Sequence, residues 1–294
     1  MTLQRLFQYL YYSINKNNAK KIKVEEDKRA ELEEQQAMLT LDIVKYVTNT
    51  ASRGARLQIK YSELLNRHCD NRDANMYGLV VLDGGLVYRG RFGAGVVVPP
   101  FESGVFLHPV FLVPFIPGSS IKGVLRAAFQ EYLSEQGFEG RGLERCVWAV
   151  FGSSEDPFTS IGGVVVFDAY PVKWGAEGLL VGDVVTPHYR GEEKTELDAM
   201  PVPARVLSVG EGTVFRIVVG VDEDYVSERV SVVGEDCASA VDQPLRLLAH
   251  LLVRGLEKMG AGGKTTRGYG RLELRALRLI PASSSRAKYR RIRP

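Results

Sequence analysis

The chain has 294 residues, 45% of them apolar, which is enough for one large domain with insertions and too apolar for a disordered segment. No run of eighteen apolar residues occurs, and Met1–Tyr12 lacks the basic start and small-residue cleavage site of a secretory leader, so a cytoplasmic protein with no membrane partner is expected. The net charge of +3 says little about partners. Cys69, Cys146 and Cys237 are odd in number and never form a CxxC pair, which predicts buried or incidental thiols and neither a disulfide framework nor a zinc site.

Residues 1–75 read as an N-terminal helical extension. An aromatic patch (Leu6, Phe7, Tyr9–Tyr12) leads into the mixed-charge run KKIKVEEDKRAELEEQQ, whose residue types favour helix and whose opposite charges can pair on its surface. Helical pieces continue to Asn75, broken at Arg53-Gly54. His68, Cys69 and Asp70 are adjacent, a poor geometry for one metal ion, and no metal or cofactor is expected anywhere.

From Tyr77 the texture becomes that of strands. Leu79–Leu82 and Leu86–Arg91 flank Asp83-Gly84-Gly85, which predicts a hairpin. Arg89 and Arg91 then fall on one side of an extended segment beside Phe92-Gly93-Ala94-Gly95, a pair suited either to nucleic acid or to a plain exposed sheet face. Val105–Phe115 reads as one apolar strand, and Pro117-Gly118 turns it into a helix. Ser119 or Ser120 is placed to cap that helix, and Ile121, Val124, Leu125, Ala128, Phe129 and Leu133 form its apolar stripe. Lys122 and Arg126 share one face near the positive end of the helix, a candidate anion site.

Gly162–Asp168 reads as a buried strand, with Asp168 at its end either a catalytic carboxylate or, as is commoner for a lone Asp at a strand terminus, a group that bonds nearby backbone or caps a turn. A long proline-punctuated loop follows, in which Asp183, Thr186, His188, Tyr189 and Arg190 are plausible RNA contacts and Tyr189 a stacking surface. Val206–Val209 and Thr213–Val219 are strands around a Gly210-Glu211-Gly212 turn, and Ala238–Met259 is a helix with Pro244 in its first turn or at a kink.

That helix delivers the chain into GAGGKTTRGYGRL at Gly260–Leu272. Glycine backbone can approach an anion closely, and Lys264, Arg267 and Arg271 add positive charge. Gly263-Lys264-Thr265 copies the end of a nucleotide-binding P-loop, but Lys258 stands where the first glycine is required, and the order helix, loop, strand reverses the P-loop context. A ribose-phosphate chain is the better guest, and a plain flexible turn the bland alternative. Arg254–Pro294 holds twelve Lys or Arg against Glu257 and Glu273, a net of +10 that leaves −7 for the rest. Tyr269–Ile280 is the closing strand, with Leu272, Leu274, Ala276 and Leu279 directed inward, and residues 281–294 form a basic tail.

Strand, helix, two strands, helix and strand give an α+β, ferredoxin-like (RRM-like) antiparallel sheet backed by helices over residues 76–280, with insertions and the N-terminal helical extension. PFIPGSSIKGVLR at Pro114–Arg126 and GAGGKTTRGYG at Gly260–Gly270 resemble the two hallmark motifs of the RAMP superfamily of CRISPR-associated proteins. RFGAG, VVVFDAYP, DVVTPHY and PVPARVLSV between them are most similar to the sixth-subunit family of type III-B Cmr effector complexes. The resemblance implies a non-catalytic subunit that binds guide CRISPR RNA, meets target RNA, and caps a backbone of related subunits beside a small helical one. It assigns RNA contacts to Ser119, Ser120, Lys122, Arg126, Lys264, Thr265, Thr266, Arg267 and Tyr269, the residues that the charge and backbone reading also selects. Two enzyme alternatives stand beside it. One is a metal-independent endoribonuclease using His188 with Tyr189 and Lys264, and the other a target-cleaving subunit using a loop aspartate such as Asp70, Asp73 or Asp183.

Overall fold

The computed structural model describes residues 77–93, 101, 103–108, 113–154, 160–185 and 203–282, and the N-terminal extension and all of the basic tail but 281–282 lie outside it. Its organising element is strand β1 (Gly78–Leu86), which pairs antiparallel with β8 (Val214–Val221) on one side and β9 (Leu272–Ile280) on the other. Outside β8 lie two short strands, β4 (Val164–Val166) and β5 (Tyr170–Lys173), both antiparallel to it. The order across the sheet is therefore β4/β5, β8, β1, β9, so the first and third strands of the βαββαβ path are central. This is the ferredoxin-like arrangement expected from the element order.

Helices α1 (Gly118–Glu135) and α5 (Pro244–Lys258) are the crossover helices. The α1 stripe falls as the periodicity predicts, with Ile121, Leu125, Ala128, Phe129 and Leu133 buried. Each fully buried large apolar side chain of this kind contributes about 1.5–3 kcal/mol relative to exposure. A Cβ at Gly255 of α5 would lie 3.0 Å from Val124 and 3.2 Å from Ala128, so glycine there lets the helices pack closely. Across their rims Arg254 donates to Glu135 at 2.8 Å, and Glu131 pairs with Lys258. No helix among the described residues is long and apolar enough to cross a membrane.

Further elements enlarge this core. Helix α2 (Gly140–Phe151) follows α1 and leads to the small β2 (Gly152–Ser153) and β3 (Ser160–Ile161) pair. Strands β6 (Leu180–Val185) and β7 (Ala204–Val209) pair with each other, and α3 (Glu223–Val233) and α4 (Glu235–Ala240) precede α5. The helix expected over Ala238–Met259 is thus two helices, and Pro244 occupies the first turn of the second, where its missing N–H is harmless.

Several local expectations give way to the structure. Asp83-Gly84-Gly85 is not a turn, since β1 runs straight through it. Cβ atoms at Gly84 and Gly85 would lie 3.2 Å from the Leu272 side chain and 2.7 Å from Arg275 Nε, so these glycines make room for the neighbouring strand. Val105–Phe115 is not one strand either. Leu107 pairs antiparallel with Pro114 and His108 N donates to Val113 O at 2.8 Å, so the chain doubles back there. In β9 the register skips Arg275, pairing Leu274 with Gly84 but Ala276 with Asp83. That β-bulge reverses the alternation, putting Leu277 and Leu279 opposite the core residues Leu82 and Val80 while Ala276 moves to the other face.

The cysteine expectation is also overturned. Cys146 of α2 and Cys237 of α4 are buried and joined by a disulfide, with Cα atoms 5.9 Å apart. Spacing in the chain carries no hint of this, because 91 residues separate the pair and only the fold brings them together. Closing a loop of that length is worth about 4–5 kcal/mol in the chain-entropy treatment. Thermal unfolding followed by circular dichroism should show a drop in Tm on adding a reductant, a similar drop for Cys146→Ser, and no further effect of reductant on that variant.

Candidate nucleic-acid interface

The glycine-rich segment is a tethered loop. It leaves α5 at Gly260 and closes on itself through Ala261 N donating to Gly270 O at 2.9 Å. Two further backbone bonds fasten it to the chain beyond β1, Gly263 N to Arg91 O at 2.8 Å and Gly270 N to Arg89 O at 2.9 Å. Between these anchors Thr265–Arg267 form one 3-10 turn. Glycine is required on geometric grounds at two positions above all. Gly262 has φ 91° and would place a Cβ 2.4 Å from Arg91 O, while Gly270 has φ 70° and would place one 1.9 Å from Ala261 O.

Lys264 is the one non-glycine residue with positive φ among the described residues, at 61°. Holding an L-residue there costs about 1–2 kcal/mol, which the surrounding tethers must offset. Lys264, Thr266 and Arg267 are exposed and Thr265 half-buried, and among the described residues neither Lys264 nor Arg267 has a side-chain ion pair. Two unneutralised cations therefore stand on a backbone whose shape is set from below.

Tyr269 faces the opposite way. It is buried, its hydroxyl donates to Asp183 Oδ2 at 2.8 Å, and its ring meets Tyr88 edge-on at 5.1 Å. Burial and then the hydrogen bond to Asp183 push its phenol above the usual tyrosine range. Asp183 lies on β6, not on a loop, and its Oδ1 is 2.9 Å from Arg89 Nη1. Arg89 also makes a two-pronged contact with Glu177, at 3.1 and 3.3 Å, and this contact holds its guanidinium more firmly protonated than usual.

Arg89 and Arg91 therefore do not project together as a free pair. Arg89 is neutralised by two carboxylates, and Arg91 is buried, with Nη2 donating to Ser103 Oγ at 2.9 Å and Nε without a hydrogen-bond partner among the described residues. The backbone around them is what the loop uses. Gly90 pairs with Val209 and Ser103 with Val206 on the free edge of β7, so β6, β7, the 89–91 segment and the glycine-rich loop form a continuous hydrogen-bonded series.

The start of α1 is built differently from the expectation. Neither Ser119 nor Ser120 caps it; Pro117 occupies the cap position and Gly118 N donates to Asp168 Oδ1 at 2.7 Å. A Cβ at Gly118 would sit 2.5 Å from Val166 O, so only glycine admits this approach. The anion position at the helix end is thus filled by Asp168, whose role as a cap the sequence suggested without naming its target. Lys122 is half-buried and donates to Val164 O at 3.1 Å; burial and then Arg126 lower its pKa. Arg126 and Ser119 remain exposed.

One expected surface does not form as a single grip. Val164 lies in the row Val164, Val221, Gly78 at one end of the sheet, whereas the loop exits beside the row Leu86, Leu272 at the other. Eight residues of strand separate these rows, about 26 Å, so the Lys122 ammonium and the glycine-rich loop belong to different parts of the molecule. His188, Tyr189, Asp70 and Asp73 lie outside the described residues. His250 is exposed on α5 and His108 packs its ring against Tyr170 at 5.9 Å. No group of three or more His, Cys, Asp or Glu side chains suited to a metal ion occurs among the described residues.

Sheet order, crossover helices and tethered loop define a ferredoxin-like domain with an elaborated basic turn after its second helix. The chain belongs to the RAMP superfamily, whose family model matches residues 91–273, more than half of the sequence. It is 28% identical over 262 residues to a protein of Saccharolobus solfataricus described as CRISPR system CMR subunit Cmr6, spanning 87% of this chain and 78% of the relative. It is 26% identical over 225 residues to a Methanothermobacter thermautotrophicus protein described as CRISPR system Cms endoribonuclease Csm3, spanning 68% and 84%. Among solved structures, a chain from the cryo-EM structure of the Type III-B Cmr-beta bound to cognate target RNA matches with a TM-score of 0.60 at 24% identity, covering 89% of this chain and 80% of that one. That likeness is one of fold.

Gly270→Ala combines a left-handed backbone with a clash against Ala261 O. It should destabilise the protein by more than the roughly 1–2 kcal/mol of αL placement alone, as read by urea denaturation, whereas Gly268→Ala, which meets no atom within 4 Å, should stay near that figure.

Proposed function

We propose that this chain is a non-catalytic RNA-binding subunit of a type III-B (Cmr) RNA-guided complex in antiviral defence, and that it caps the complex's backbone in the cytoplasm. The carrying observation is the glycine-rich loop, in which Lys264 and Arg267 stand exposed, with no ion pair among the described residues, on a backbone tethered at Gly263 and Gly270. Such a loop presents charge and backbone N–H groups to phosphates with little means of reading bases, which suits a guide RNA of variable sequence. Superfamily membership and the likeness to the Cmr6 protein supply the setting. Guide CRISPR RNA and target RNA are the nucleic-acid partners, and the repeated backbone subunit and small helical subunit are the protein ones.

Lys264, Thr265, Thr266 and Arg267 form the principal contact, with Tyr269 supporting it from beneath. Ser119, Ser120, Lys122 and Arg126 belong to a second, separate contact region, and Arg89 and Arg91 act by shaping the loop's platform. Residues 1–75 and 281–294 are accessory to the domain at 76–280, and His188 and Tyr189, which lie outside the described residues, are further RNA contacts. The absence of catalysis is supported by Asp183, whose carboxylate is engaged on both oxygens and so is ill-placed to act as a cleaving aspartate.

Neutralising both cations with Lys264→Ala and Arg267→Ala should weaken single-stranded RNA binding about tenfold or more and lower the slope of log K against log salt by about 1–2. The loss should be the same for unrelated sequences, measured by filter binding across a salt series. Unchanged affinity would reject the interface. Appearance of discrete products from labelled repeat RNA, with or without magnesium, would reject the non-catalytic role.

A further inference from the structure

Tyr269 reaches down from the glycine-rich loop into a polar cluster that no phosphate contact explains. The centre of that cluster is Asp183, whose side chain is only 9% exposed. Its Oδ2 accepts from the Tyr269 hydroxyl at 2.8 Å and from Ser208 Oγ at 3.4 Å; its Oδ1 accepts from Val184 N at 2.8 Å and pairs with Arg89 at 2.9 Å. These partners come from the loop, from β7, from β6 itself and from the segment after β1. The backbone tethers at Gly263 and Gly270 reach only the 89–91 edge, so Asp183 supplies the loop's side-chain link to the β6–β7 pair.

We infer that Asp183 is a positioning residue: it locks Tyr269, and through it the Lys264–Arg267 turn, to the β6–β7 pair in the geometry that receives an RNA backbone. This rests on the RNA-binding reading above. Charge alone predicts the opposite sign of effect. A carboxylate near a phosphate site repels the ligand, so a mere neighbour would be improved away by neutralisation, whereas a positioning group would be missed.

The test uses the full chain carrying Asp183→Asn, Tyr269→Phe or both, with two readouts. Hydrogen exchange followed by mass spectrometry on the protein without RNA should show peptides covering 262–270 exchanging about tenfold faster in each single variant, the local cost of one lost buried hydrogen bond. A single-stranded RNA titrated across salt concentrations should bind about tenfold more weakly with its salt slope unchanged, because no phosphate contact is removed. The double variant should be no worse than the poorer single one, as expected of partners in one interaction. Loop exchange equal to wild type, tighter RNA binding by Asp183→Asn, or additive losses would each overturn the inference. Tyr269→Phe removes only a hydroxyl, so it keeps the test decisive if Asp183→Asn folds poorly. If wild-type binding proves indifferent to Lys264 and Arg267, the RNA-binding reading fails, while the exchange readout still decides whether Asp183 holds the loop.

Discussion

Two backbone hydrogen bonds, from Gly263 and Gly270 to the carbonyl oxygens of Arg91 and Arg89, set the shape of the functional end of this molecule. They work because glycine at 262 and 270 lets main chain approach main chain at distances no Cβ would allow. Everything exposed on the loop follows from that fastening: the 3-10 turn at Thr265–Arg267, the left-handed Lys264, and the inward turn of Tyr269. The cations are therefore presented by a platform whose backbone carbonyls belong to Arg89 and Arg91.

The same division of labour runs through the start of α1. A helix N-terminus with two serines and a lysine looks ready for an anion, yet the protein fills it with Asp168 and ties the lysine to a β4 carbonyl. The two hallmark motifs thus share glycine-dependent close approaches but differ in what they leave open. The loop holds Lys264 and Arg267 without an ion pair among the described residues, whereas at the start of α1 Asp168 meets the helix end and Val164 O takes Lys122, with Arg126 left exposed.

Much of the fold was legible because it rests on local periodicity. The α1 stripe, the apolar face of the helix through Leu245–Leu256, the strands near 206–209, 213–219 and 272–280 and their ferredoxin-like order all follow from apolar spacing and turn residues. What escaped depends on contacts between distant residues. Gly84 and Gly85 read as a turn because nothing nearby in the chain announces Leu272 and Arg275 beside them. The disulfide, the Asp168 cap and the Asp183–Tyr269 bond span 91, 50 and 86 residues, beyond any windowed pattern. The loop's location was readable from its composition, but its orientation was not: the same stretch sends Lys264 outward and Tyr269 inward, and only the acceptor on β6 decides which.

The bulge at Arg275 bears on how the molecule can join others. Among the described residues β9 pairs on one side only, leaving a nine-residue row of main-chain groups along its outer margin. Such a margin ordinarily invites a foreign strand to zip onto it. Here the extra residue breaks the regular spacing midway, and the exposed Glu273 and Arg275, paired at 3.4 Å, set charged groups on the strand. An interrupted ladder with charged side chains along it is a poor template for a foreign strand, so the bulge that re-aims Leu277 and Leu279 also blunts the sheet's edge.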